Sequence, residues 1–132
     1  MESVTAERRA AGRLLDDKEA LARAITDRLY AERPALMERY GAVGREKCLQ
    51  DLRYTLEHLI PAVDLGEPAM FAGYVRWLDE LLRARGVATD EIARSLELTE
   101  RVIRERLPAE EADAVAPAIR AGLGALAAEG GR

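Results

Sequence analysis

Cysteine, histidine, tryptophan and phenylalanine occur once each in this 132-residue chain. A disulfide framework needs two cysteines and a Cys/His zinc centre three or four ligands, so Cys48 and His58 alone supply neither. A Ser-His-Asp relay has His58 or nothing. An excess of positive charge is also missing, because 20 Lys+Arg stand against 24 Asp+Glu for a net charge of −4. Nucleic-acid-binding domains are commonly basic, so no nucleic-acid partner is expected. No stretch approaches the ~20 apolar residues of a membrane span, and no apolar run follows Arg8 and Arg9 as a signal peptide requires. No membrane partner is expected either. The expected compartment is the cytoplasm, where a lone thiol stays reduced.

What is abundant favours helix. Alanine (24) and leucine (18) far outnumber Val, Ile and Thr taken together (17), and the apolar positions keep a helical period nearly throughout. Val4, Ala11, Leu14 and Leu15 predict a first helix within residues 1–16, ending near Asp16-Asp17. Those acids cap a second helix carrying Leu21, Ala24, Ile25 and Leu29. Pro34 breaks it, and residues 34–40 form a short turn leading to Gly41. A third helix is expected over residues 44–62, past a bend at Pro61, and a fourth over residues 68–85 with Gly86 as its C-cap. Thr89 caps a fifth. The last helical region starts at Pro108, kinks or restarts at Pro117 and frays over residues 129–132. Residues 1–132 therefore read as one all-α domain of six to seven helices. Unequal lengths and proline breaks favour globin-like packing over a regular bundle.

The third helix carries a polar line beside its core stripe. Leu49, Leu52, Leu56, Leu59 and Ile60 share the core face, while Glu46, Gln50, Arg53 and Glu57 take the far side. Along the edge lie Cys48, Asp51, Thr55, His58 and Ala62. From Cys48 to His58 that line is about 15 Å long at ~1.5 Å per residue. A long flat ligand fits such an edge, and so does an ordinary boundary between core and solvent. A lone cysteine in that position is most often a small inert hydrophobe.

The segment Gly44-Arg45-Glu46-Lys47-Cys48-Leu49-Gln50-Asp51-Leu52-Arg53-Tyr54-Thr55-Leu56 resembles the chromophore-binding helix of phycobiliproteins. In that family a Gly-basic-acidic-Lys-Cys start is followed by Arg-Asp, a Tyr pair and Leu. Upstream, Leu29-Tyr30 and Arg33-Pro34 resemble the preceding helix and its proline-marked end, so the likeness covers about residues 18–59. The resemblance implies a bilin, a linear tetrapyrrole such as biliverdin or phycocyanobilin. By that likeness Cys48 forms a thioether to an outer ring, with Arg45 and Lys47 lowering the thiol pKa. Asp51 accepts hydrogen bonds from the pyrrole N–H groups, Tyr54 lies along the ring plane, and Arg45, Arg53, Arg76 or Arg83 receives the propionates. The sequence departs from the family at Gln50, where a propionate-clamping Arg stands, at Thr55 for the second Tyr, and at Glu57 for a basic residue. The short N-terminal extension also differs from light-harvesting members. A small relative that binds a bilin, or shares the fold alone, is the expected class.

Two further features bear on function. His58 is the one imidazole available to haem iron, yet the globin pattern puts its proximal histidine on the following helix, where residues 68–85 have none; a surface or capping role is expected. On the fourth helix Met70, Phe71, Tyr74, Trp77, Leu78 and Leu81 make a broad apolar face, mostly core. Tyr74 and Trp77 are expected to wall a conjugated ligand beside the Cys48–Asp51 line, and part of the face to pair two copies as a homodimer. Arg101, Arg104 and Arg106 read as solvated surface with Glu97, Glu100 and Glu105. No base, nucleophile and orienter converge beyond Cys48, Asp51 and His58, so the expected class is non-enzymatic. The alternative is a ligand-free or haem-binding globin-like sensor or dimerisation module.

Overall fold

A computed structural model describes residues 4–130. Five helices follow in order: α1 (Ala6–Glu32), α2 (Ala35–Leu65), α3 (Pro68–Ala84), α4 (Thr89–Arg106) and α5 (Ala109–Gly130). The chain is all-α, with fewer and longer helices than the expected six to seven.

The count differs because the predicted breaks at Asp16-Asp17 and Pro117 do not interrupt their helices. Asp16 and Asp17 are exposed in mid-α1 and cap nothing. Ala10, Leu14, Leu21, Ile25 and Leu29 keep one buried stripe running past them, and that packing outweighs the modest helix penalty of two aspartates. Thr5 caps this long helix, its Oγ1 accepting from the Arg8 amide at 3.1 Å. Residues 35–40 are helical instead of a simple turn, and the break comes at Gly41, whose φ of 68° and ψ of −168° only glycine adopts readily. Pro61 and Pro117 both sit within helices on exposed positions. Each removes one N–H from the helix ladder, leaving the carbonyl one turn back, at Glu57 and Asp113, without its helical donor; both of those residues are exposed.

The predicted helix ends at Gly66 and Gly86 do form. Gly66 (φ 63°) donates to the Val63 carbonyl and Glu67 to that of Ala62, the reciprocal pattern of a left-handed C-terminal cap. Gly86 (φ 83°) repeats it with Arg83, as Val87 does with Leu82. Thr89 does not cap α4, which Ala88 precedes. Its hydroxyl instead donates to Asp79 Oδ1 at 2.7 Å. Asp79 is fully buried, with Arg83 Nε 3.0 Å from its other oxygen. That carboxylate ties the start of α4 to α3 and sets the course of the loop between them. Residues 1–3 of the predicted first helix and residues 131–132 of the predicted frayed tail lie outside the described residues.

One buried cluster draws side chains from all five helices. The α3 and α5 helices meet closely at Gly122. A Cβ placed on Gly122 would lie 2.9 Å from Val75 Cγ2 and 3.0 Å from Phe71 Cε2, so the two helices meet without room for a methyl group. Charged pairs tie the helices together: Arg13 to the buried Glu111, and on the surface Arg94 to Glu32 and Arg28 to Glu105. Of the predicted surface pairs Arg104–Glu100 forms, whereas Glu97 pairs with Arg94. Among the described residues no helix is long and apolar enough to cross a membrane.

Candidate functional site

A half-open cleft of about 410 Å³ lies where α1, α2, α3 and α4 converge. Leu29, Leu36, Leu78, Leu82, Val87 and Ile92 give it apolar walls, and Tyr30 and Tyr40 add aromatic rings. Its polar groups are few: Lys47, Cys48 and Asp51 from α2, Arg85 from the α3–α4 loop, Glu91 and Ser95 from α4. Apolar walls with a small convergent polar set are the usual make-up of a small-molecule site.

The Gly41 break shapes one rim. It turns residues 35–40 back against the following helix, bringing Leu36 and Tyr40 over the cleft. The fold-back is tight at Gly44, where an added Cβ would meet Tyr40 Cβ at 2.3 Å. Any larger residue at position 44 displaces that rim.

Only the first turn of the predicted polar line reaches the cleft. Cys48 and Asp51 line it; Thr55, His58, Tyr54, Arg45, Tyr74 and Trp77 do not. Tyr74 is the physical reason. Its ring stacks on His58 with centroids 4.2 Å apart, and its hydroxyl donates to Thr55 Oγ1 at 3.0 Å. The Thr55 hydroxyl in turn donates to the Asp51 backbone carbonyl at 2.9 Å. The α2 edge beyond Asp51 is thus covered by α3, and Tyr74 belongs to the buried packing. His58 Nδ1 donates to the Tyr54 carbonyl at 2.8 Å on an exposed surface. Tyr54 (48% exposed) and Trp77 (56% exposed) face outward, which corrects their expected place against a ligand.

Of the four predicted arginines three are engaged elsewhere, and Arg76 does not line the cleft. Arg45 bonds Asp27 and lies over the Tyr30 ring at 5.1 Å. Arg53 makes a two-pronged bond to Glu19, both contacts 2.7 Å, and Arg83 pairs with Asp79. The cations at the cleft are Lys47 and Arg85, neither of which has an ion-pair partner among the described residues. Arg85 and Glu91 carried no signal in the sequence. They reach the cleft through the course of the α3–α4 loop, which depends on the buried Asp79–Thr89 contact.

Electrostatics at Cys48 run opposite to the expected activation. Burial pushes the thiol up to about 11, the Asp51 charge adds to the rise, and Thr26 and Arg45 only partly offset it. At neutral pH the thiol is therefore held in its protonated, poorly nucleophilic form. Burial also raises the Asp51 carboxyl, against the pull of Arg85 and Lys47. Tyr74 is pushed up to about 12, again chiefly by burial.

These shifts set an alkaline limit on stability. The folded chain holds the Cys48 and Tyr74 protons more tightly than the unfolded chain, whose groups titrate near 9.0 and 10.0. The Cys48 contribution is intact below pH 9.0 and is lost as pH rises through about 11. Tyr74 follows between 10.0 and about 12. Each is worth on the order of 2 kcal/mol. The melting temperature is expected to fall over this range, and Cys48→Ala to flatten the first part of the fall. An unaltered alkaline profile in Cys48→Ala would contradict the assignment.

Among the described residues no three His, Cys, Asp or Glu side chains are grouped as a metal site. No protein-family model matches the chain, and no curated protein matches it either.

Proposed function

We propose that this chain is a non-enzymatic, globin-like domain of phycobiliprotein type that binds a bilin, biliverdin or phycocyanobilin, in the α1–α4 cleft. One observation carries the reading. Cys48 and Asp51, the two residues on which the phycobiliprotein resemblance turns, are the two members of the polar line that line the cleft. The surroundings suit such a ligand. Tyr30 and Tyr40 offer rings to a conjugated system, Asp51 an acceptor to pyrrole N–H groups, and Lys47 and Arg85 cations to propionates.

The fit is partial, and it shapes the mode of binding. About 410 Å³ is near the low end for small-molecule sites, so part of the tetrapyrrole occupies the cleft and the rest lies at its open side. A thiol held near 11 is a poor nucleophile at neutral pH. The bilin is therefore held noncovalently, and attachment at Cys48 is slow unless the burial is relieved. A haem bound through His58 has no support in this cleft, because that imidazole stands outside it with Nδ1 bonded to Tyr54. The alternative, a sensor or homodimerisation module, draws on the exposed Tyr54, His58, Met70 and Trp77 of α2 and α3.

Titration with biliverdin and phycocyanobilin tests the reading. The expected result is a narrowed, red-shifted visible band that saturates at one bilin per chain. Cys48→Ala keeps the band, and denaturation releases the pigment from both proteins. No spectral change with either bilin would sink it.

A further inference from the structure

The side of α3 turned away from the core has a pattern of its own. Met70, Gly73, Trp77, Glu80 and Ala84 follow one another at alternating spacings of three and four residues, and all are exposed. That is the period of a seam between two helices, and it lies apart from Phe71, Val75 and Leu78, which fill the core. Gly73 has no role in the single chain. A Cβ there would meet nothing within 4 Å, and its φ is not positive, so the fold has no need of a residue that weakens a helix. Trp77, one turn on, is exposed yet braced. Its ring leans on Tyr74 with centroids 5.9 Å apart, and Tyr74 in turn stacks on His58. A braced tryptophan beside an open notch suits a contact in which each fills what the other lacks. Arg76 and Glu80 stand on the same exposed side, and neither has an ion-pair partner among the described residues.

We infer that a second copy of this chain packs on this face, the two α3 helices running antiparallel around a twofold axis, with Trp77 of each copy in the notch at Gly73 of the other. The charges select the direction. Long side chains on a helix lean toward its N-terminus. In the antiparallel register that sets Gly73 against Trp77, Arg76 of each copy leans toward Glu80 of the other, and both unpaired charges find partners. A parallel pairing instead stacks Glu80 on Glu80 and leaves an empty layer where Gly73 meets Gly73. The twofold uses every feature twice, as a self-complementary interface must. It gives the pairing of two copies, expected from the apolar face of α3, its residues and its direction. Met70, Gly73 and Trp77 lie outside the cleft, so pairing through them requires no ligand there.

Sedimentation velocity of the full chain over a concentration series should show a reversible dimer that dissociates in the micromolar range. Dilution should move the emission of Trp77, the single tryptophan, to longer wavelength as the ring returns to water. Gly73→Gln fills the notch without crowding its own chain. It should weaken the dimer at least about tenfold while the melting temperature of the dilute monomer stays level or rises. Arg76→Glu should weaken it as well, and Arg76→Glu with Glu80→Arg should restore the dissociation constant to within about threefold of wild type. A wild-type chain that stays monomeric throughout the series would overturn the proposal, as would a dimer that Gly73→Gln leaves intact. A double variant no tighter than Arg76→Glu would overturn the antiparallel pairing.

Discussion

Asp51→Ala is expected to weaken bilin binding about ten- to hundredfold while leaving the melting temperature unchanged or slightly raised. The first half follows from what the carboxylate offers. It is partly buried, it lines the cleft, and its oxygens are free of hydrogen bonds from the described residues. A charge-assisted bond from a ligand N–H to such a group is worth about 1.5–3 kcal/mol. The second half follows from the same facts in the empty domain. A carboxylate moved out of water without a donor costs free energy, and the rise in its pKa is the sign of that cost. Replacing it with a methyl group removes the cost together with the function. Binding should also weaken as pH falls into the raised range where Asp51 takes up a proton, and Asp51→Ala should lose that dependence. Cys48→Ala provides the contrast, since its neutral thiol contributes packing and no charge. Calorimetric titration beside thermal melts separates these outcomes; a large stability loss in Asp51→Ala would make the residue part of the scaffold.

Phe71→Ala should destabilise the fold by about 3–5 kcal/mol, the largest effect expected of any single truncation here. Phe71 is the chain's single phenylalanine and is fully buried. Its ring lies against the backbone of α5, 3.0 Å from where a Cβ on Gly122 would stand, and 5.9 Å from the Tyr74 ring. Glycine at 122 means that no neighbouring side chain on that side can swing in to fill the space. The cavity therefore stays largely open and the cost falls toward the upper end. For a domain of this size the melting temperature should drop by about 10–20 °C. A drop below about 5 °C would show that α5 relaxes onto α3, contrary to the rigid contact described. Loss of Phe71 also loosens Tyr74, which covers the α2 edge beyond Asp51, so the truncation tests the boundary of the cleft as well as the core.

Helical periodicity made the all-α class legible, and the buried stripes of α1 and α2 follow it closely. The breaks were less legible. Asp16-Asp17, Pro61 and Pro117 carry strong local signals for caps and kinks, yet each faces solvent where the opposite side of its helix is packed into the core. Tertiary burial won over local preference there. Gly41, Gly66 and Gly86 kept their local meaning because their positive φ angles leave no helical alternative. The site divides the same way. Cys48 and Asp51 were visible because they lie on one helix at helical spacing. Their separation from Thr55 and His58 was not, because it depends on Tyr74 arriving from α3. Arg85 and Glu91 were invisible for a related reason: a long-range contact, Thr89 to the buried Asp79, sets the loop that presents them. The inverted pKa of Cys48 has the same origin, since sequence neighbours Arg45 and Lys47 suggested activation and burial decided otherwise.

The most direct test of the cleft as the ligand site is a map of amide chemical shifts during titration of the 15N-labelled chain with biliverdin. The account predicts saturable shifts concentrated on Tyr30, Leu36, Cys48, Asp51, Arg85 and Glu91, with the exposed Tyr54–His58–Trp77 surface unmoved. Shifts confined to that outer surface, or none at all, would contradict it.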